Sequence, residues 1–215
     1  MALDGTYGGL EASIADWLNR ADLTATIPDF IAAAEAQMSR RLLKDGPVRP
    51  MLARVDTTIT AEFVNVPADF MGVNTIYITG APTASGLLRL QMAAPAEMND
   101  LKSFQFEVGD SLQRFAVVGA SFQFWPWTGG SVPAELTYWQ RIPALAQNIA
   151  GNWLSASHPD AYLYGALLQA APYLKDDGRV PMWSEAFETI LSDIVAADKI
   201  ERGAAELAMP PRIVA

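Results

Sequence analysis

The sequence predicts an α+β protein: a mainly α-helical bundle of two N-terminal and two C-terminal helices, with an inserted antiparallel β region and an extended C-terminal tail. Three observations predict it. Apolar residues recur at helical spacing up to residue 46 and again from 153 to 203. Between 47 and 152 the period shortens to two, with Gly and Pro as punctuation. After 203 the periodicity is lost. The expected division is therefore 1–46 and 153–203 as the two parts of the bundle, 47–152 as the β-rich insertion, and 204–215 as the tail.

The first helix rests on Leu10, Ile14, Trp17 and Leu18, at i, i+4, i+7 and i+8. Asn19 to Ala25 is a polar break. Thr26-Ile27-Pro28-Asp29 reads as the next helix start, with Thr26 as cap, Pro28 in the first turn and Asp29 facing the positive end of the dipole. Ile27, Phe30, Ile31, Ala34, Met38 and Leu42 form its apolar stripe. Glu35, Gln37, Arg40 and Arg41 are assigned to the other faces, and Gly46-Pro47 stops the helix.

In the β region, Val64 and Val66 lead into a turn at Pro67-Ala68-Asp69. Val73 to Thr79 is a β-branched strand ended by Gly80-Ala81-Pro82. Arg114 to Val118 and Ser121 to Trp125 flank Gly119-Ala120 as a hairpin. Glu135 to Arg141 alternates Leu136 and Tyr138 against Thr137 and Trp139. The strands read as short and antiparallel, in a small meander or sandwich, with Pro95 to Ser103 as a short helix among them.

Helical spacing returns at Ser157-His158-Pro159-Asp160, which repeats the cap, first-turn proline and carboxylate of the earlier start. Ala161 to Leu174 is apolar nearly all round. Such a helix is buried on all sides, either at the centre of the bundle or under other subunits. Lys175-Asp176-Asp177-Gly178 is a tight turn. Pro181 opens a last helix with Trp183, Phe187, Ile190, Ile194 and Ala197 on one face and Gly203 as its C-cap. Ala204 to Ala215, with Pro210-Pro211, reads as extended.

The 215 residues are 51% hydrophobic, which supports a substantial core and argues against disorder. Fifteen basic against 24 acidic side chains give a net charge of −9, unfavourable to broad binding of phosphate backbones. Arg40, Arg41, Lys44 and Arg49 form the one basic cluster, read as cations near a helix C-terminus. There is no cysteine, so disulfides, thiolate nucleophiles and Cys-based metal sites are excluded. Met1 to Gly9 lacks the pattern of a signal peptide, and the apolar run Ala161 to Tyr173 is too short for a bilayer. The expected address is cytoplasmic synthesis, with no membrane association.

No enzyme motif emerges, and neither a cofactor nor a metal ion is expected. His158 is the single histidine, and capping explains Ser157-His158. Gly8-Gly9 follows no strand and is a weak phosphate loop. Glu185 and Glu188, with Asp193 and Asp198 further along, are the sole candidates for a carboxylate hydrolase, but they are assigned to the solvated face opposite Trp183. Phe122 and Phe124 read as core. Trp125, Trp127 and Trp139 are candidate interface residues, the first two with core and interface readings evenly balanced. Exposed there, they could stack on sugar rings or anchor a protein partner.

Three segments resemble phage head-to-tail adaptor (connector) proteins. The first is Ile14-Ala-Asp-Trp-Leu-Asn-Arg with Asp22-Leu, Ile27-Pro-Asp-Phe-Ile and Ala34-Glu-Ala through Arg40-Arg-Leu. The second is Val66-Pro-Ala-Asp-Phe70. The third is Gln140-Arg-Ile-Pro-Ala-Leu145, Asn152-Trp-Leu, Pro159-Asp-Ala-Tyr-Leu-Tyr-Gly-Ala-Leu and Ala171-Pro-Tyr-Leu-Lys-Asp-Asp177. The resemblance implies a non-enzymatic virion subunit at the head–tail interface. It further implies a homo-oligomeric ring of about a dozen copies between the portal protein and a stopper, nozzle or tail protein, with genomic DNA passing through the channel. It also implies a portal-docking arm, placing Met209, Pro210, Pro211, Arg212, Ile213 and Val214 among the candidate interface residues. The alternatives are a sugar- or partner-binding tail component and, behind it, the carboxylate hydrolase.

Overall fold

A computed structural model describes residues 3–81, 85–103, 112–127, 129–146, 151–174 and 178–207. It is an α+β protein whose chain divides into two compact units, residues 1–51 with 142–215 and residues 52–141. Among the described residues there are six α-helices and eight strands.

The first unit is helical. In α1 (Tyr7–Leu18) the Thr6 hydroxyl accepts from the Gly9 N–H at 3.1 Å, and Asn19 ends the helix in the left-handed conformation, φ 51°. Leu10, Ile14 and Leu18 are buried, whereas Trp17 is 38% exposed and meets Tyr164 edge-on at 5.8 Å. The expected polar break holds a 3₁₀ turn, Ala21–Thr26, that runs directly into α2 (Ile27–Asp45). This overturns the capping role of Thr26. Its backbone is already helical, φ −99° and ψ −12°, and its side chain makes no cap bond.

The second chain passage opens with a helix the hydrophobic spacing did not reveal, α4 (Trp153–Ser157), held by a reciprocal capping box between Asn152 and Ser155. Ser157 therefore ends a helix rather than starting one, and His158 caps nothing with its side chain. The Asp160 carboxylate instead accepts from the Ala161 N–H at 3.1 Å. The apolar helix is α5 (Pro159–Ala170), followed by a 3₁₀ turn at Ala171–Tyr173 where Pro172 cannot continue the α-helical ladder.

Helix α5 packs against α1, α2, α4 and α6 (Val180–Leu207). Of the two readings of its apolar girth, the centre of the unit is the one the packing bears out. Gly165 permits the approach. A Cβ there would lie 3.0 Å from Phe187 Cε2 and 3.1 Å from Ala34 Cβ. Along α6 the buried face is Trp183, Phe187, Leu191, Ile194, Val195 and Asp198, displaced from the expected Ile190 and Ala197. The helix also passes through Gly203 to Leu207, so Gly203 is no C-cap and Ala204 to Leu207 are helical rather than extended. An interior glycine costs a helix at most about 1 kcal/mol, too little to stop it.

The second unit holds two four-stranded sheets. One has the order β1 (Leu52–Ile59), β8 (Val132–Gln140), β3 (Phe70–Thr79), β4 (Leu87–Arg89). The other has the order β2 (Phe63–Asn65), β7 (Ser121–Trp125), β6 (Arg114–Val118), β5 (Gln91–Met92). Ile59, Ile76, Ile78, Ala134, Leu136 and Tyr138 of the first sheet share one core with Phe115, Phe122 and Phe124 of the second, a sandwich rather than a meander. The hairpin β6–β7 and helix α3 (Pro95–Ser103) have the expected bounds. The all-antiparallel expectation is corrected at one place, where β5 and β6 pair in parallel over Gln91↔Arg114 and Met92↔Phe115.

Candidate functional site

The tryptophans singled out by the sequence lie in the second unit, each half-buried. Trp125 closes β7 and packs on Ala93, Met98 and Ala116. The Lys102 ammonium lies 5.8 Å from its ring centroid and 5.8 Å from that of Phe63, while also binding the Glu62 carboxylate. Burial alone would raise the Glu62 carboxyl, but Lys102 and the Gln123 amide outweigh it and hold it below the usual range. Trp127 packs on the core between the sheets, away from the cluster that receives Trp125. Trp139 lies on β8 beside Gly72, whose missing Cβ would sit 3.8 Å from its ring. Met209, Pro210, Pro211, Arg212, Ile213 and Val214 lie outside the described residues, as does the turn at Lys175, Asp176 and Asp177.

The carboxylates of α6 divide into two groups. Glu185 is exposed, and exposed Glu188 accepts from Arg41 at 2.6 Å. Asp198 does not share their face. Fifteen residues at 100° each bring it within about 60° of Trp183, and it is buried. The Arg49 N–H and guanidinium donate to Asp198 Oδ1 at 2.9 and 3.2 Å, and Arg202 pairs with its other oxygen. Burial pushes this carboxyl up, but those hydrogen bonds and the Arg202 charge prevail and hold it below the usual carboxylate range. Two of the four cations of the basic cluster are thus paired, Arg41 with Asp45 and Glu188 and Arg49 with Asp198 and Glu201. Arg49, Asp198 and Glu201 border a cleft of about 200 Å³ with Trp153, Ser157 and His158. Of the acids considered for hydrolysis, Glu185, Glu188 and Asp193 do not line it, and Asp198, which does, is held in ion pairs with Arg49 and Arg202.

A buried polar cluster was missed by the spacing argument. Glu35, assigned to an outer face, is buried in α2. Its Oε1 accepts from the Leu145 N–H at 2.6 Å and the Tyr162 hydroxyl at 2.9 Å. The Asn152 amide donates to the Tyr162 oxygen and the Pro143 carbonyl, each at 2.6 Å, and the Ser39 hydroxyl accepts from the Ile142 N–H at 3.3 Å. Burial raises the Glu35 carboxyl against the opposing pull of its two donors, and it drives the Tyr162 phenol upward as well. The signal was present, since position 35 is Ile27+8 and Ile31+4, inside the stripe. The residues so joined belong to the Gln140–Leu145, Asn152 and Tyr162 segments. The bonds to Glu35 and Ser39 fasten the returning chain to α2, and those of Asn152 tie the returning segments to one another.

Among the described residues no group of acidic or histidine side chains could hold a metal ion, and no helix is long and apolar enough to cross a membrane. A family model described as SU10 adaptor protein matches residues 5–212. No curated protein matches the chain.

Proposed function

The chain belongs to the SU10 adaptor protein family, and from that membership we propose that it is a structural subunit of a bacteriophage head–tail connector. In this reading copies form a ring of about twelve beneath the portal protein, a stopper, nozzle or tail protein docks below, and genomic DNA passes through the channel. The match over nearly the whole chain carries the reading.

Two physical features support it. The net charge of −9 favours a channel through which DNA slides over one that grips it. The cationic side chains Arg41, Arg49 and Arg202 are engaged by carboxylates rather than offered to phosphate. Helix α5 lies at the centre of its own unit, so it does not supply spare apolar surface for neighbours. Contacts in a ring are heterologous and need two unlike patches. Exposed Trp17, Tyr173, Met182 and Ile200 of the first unit and Phe63 and Met92 of the second are among the apolar side chains open to such use. The arm containing Met209 to Val214 is assigned to the portal, and Trp125, Trp127 and Trp139 to the flank of a neighbouring subunit.

Negative-stain imaging of the chain mixed with purified portal protein tests this. Rings seated on the portal are expected. Portal particles left bare at micromolar concentrations of both proteins overturn the connector assignment.

A further inference from the structure

Among the described residues strand β1 has a strand partner on one side alone. It forms one border of its sheet, paired along its whole length with β8, and no described strand lies on its other edge. Eight residues without proline make this a long open edge, of the kind that accepts another strand. Its inward-facing positions are Ala53, Val55, Thr57 and Ile59. Ala53 and Ile59 reach the core, but Val55 is 40% exposed and Thr57 is exposed as well. Strand β2 of the other sheet, whose Val64 borders the same space, is three residues long. A small apolar groove of about 70 Å³ opens there, bordered by Val55, Thr57, Val64 and Phe122.

The outward-facing positions specify the partner. Arg54 and Asp56 flank Val55 on the solvent face, with side chains 64% and 80% exposed; within the chain the Arg54 guanidinium binds Glu135 of β8 at 2.7 Å and lies 3.6 Å from Asp56, so Asp56 is the charge left most open to a partner. In an antiparallel pairing of two identical strands centred on Val55, Arg54 of each copy stands opposite Asp56 of the other, and the two Val55 side chains meet on the uncovered inner face. Pairings displaced by two residues lose both charge pairs, and those displaced by one turn the faces over. Charges on an edge discourage indiscriminate strand addition. These two also select a single register with a second copy.

We propose that β1 is a self-complementary edge through which two copies of this chain pair as a two-fold dimer. The contact is isologous, so it is distinct from the heterologous contacts of a ring and does not rest on the connector reading. Pairing covers the open edge.

Sedimentation equilibrium of the full chain tests the proposal, using wild type, D56R and the exchanged double variant R54D/D56R. The wild type is expected at twice the chain mass. D56R sets arginine opposite arginine at both ends of the contact and should weaken the dimer about tenfold or more. R54D/D56R restores opposite charges in the same register and should restore the dimer. Circular dichroism of each variant confirms folding. A monomeric wild type, a D56R dimer of unchanged affinity, or failure of the exchanged variant to recover while folded each overturns the proposal. None of these outcomes bears on portal binding, whose failure is read separately.

Discussion

The Tyr162 hydroxyl donates to the Glu35 carboxylate at 2.9 Å, joining α5 to α2 across 127 residues of sequence. Removing that hydroxyl in Y162F leaves Glu35 with one donor and the Asn152 amide short of an acceptor. The expected cost is about 1–3 kcal/mol in urea unfolding monitored by circular dichroism. The sign of the pH effect follows from burial. The folded-state value for Glu35 is raised above its unfolded value, so its contribution is fully present below about pH 4.5 and is lost as pH rises through the higher folded value. E35Q keeps the acceptor without the charge. It should therefore match or exceed wild type at pH 7 and lose that advantage near pH 4, and an advantage that grows on acidification is the contrary result.

Asp198 shows the opposite dependence. Its carboxyl is held low, so its stabilisation is present above about pH 3.8 and disappears as pH falls through the lower folded value. D198N should lower the unfolding free energy at pH 7 by about 1.5–3 kcal/mol, because hydrogen bonds to a buried charge are lost. The gap between the variant and wild type should close below pH 4. Thermal melts at pH 7, 4 and 3 measure it.

In the β unit the Tyr138 hydroxyl donates to Asp69 Oδ1 at 2.9 Å. Burial first, then this carboxylate, pushes the phenol up to about 12. Its contribution is complete below pH 10 and lost as pH rises toward 12. Wild type should therefore destabilise more steeply than Y138F between pH 10 and 12, while costing about 1 kcal/mol to mutate at pH 8. Parallel alkaline profiles would count against the bond.

Alanine at position 165 gains helix propensity worth about 1 kcal/mol. It also drives a methyl against Phe187 and Ala34 at 3.0 and 3.1 Å, and overpacking of a tight core costs about 1–3 kcal/mol. The second effect should win, so G165A lowers the melting temperature. An unchanged or raised value indicates that α5 and α6 separate more easily than their packing suggests.

Much of this was legible in the residues. The stripe Ile27, Phe30, Ile31, Ala34, Met38 and Leu42 is the buried face of α2, and the Gly119-Ala120 turn marked its hairpin. Strand β1 was not read, because its inward positions Ala53, Val55, Thr57 and Ile59 make a weak alternation at a half-covered edge. The polar side chains were misassigned for one shared reason. Glu35 and Asp198 are at buried angular positions, but a charged residue reads as solvent-facing until its partners are known, and Leu145, Tyr162 and Arg49 are each over a hundred residues distant. The caps at Thr26 and Ser157 failed because a preceding helical turn already occupied each site. For the docking residues, spacing carries no information about surfaces other chains would cover.

The β unit is one uninterrupted stretch, 52–141, whereas the helical unit is assembled from chain on both sides of it. On the ribosome the sandwich can therefore close while α1 and α2 are still without α5. Their apolar faces stay unmatched until the second passage has emerged. A pause in translation near residue 150 would prolong that interval and make it the step most dependent on chaperones.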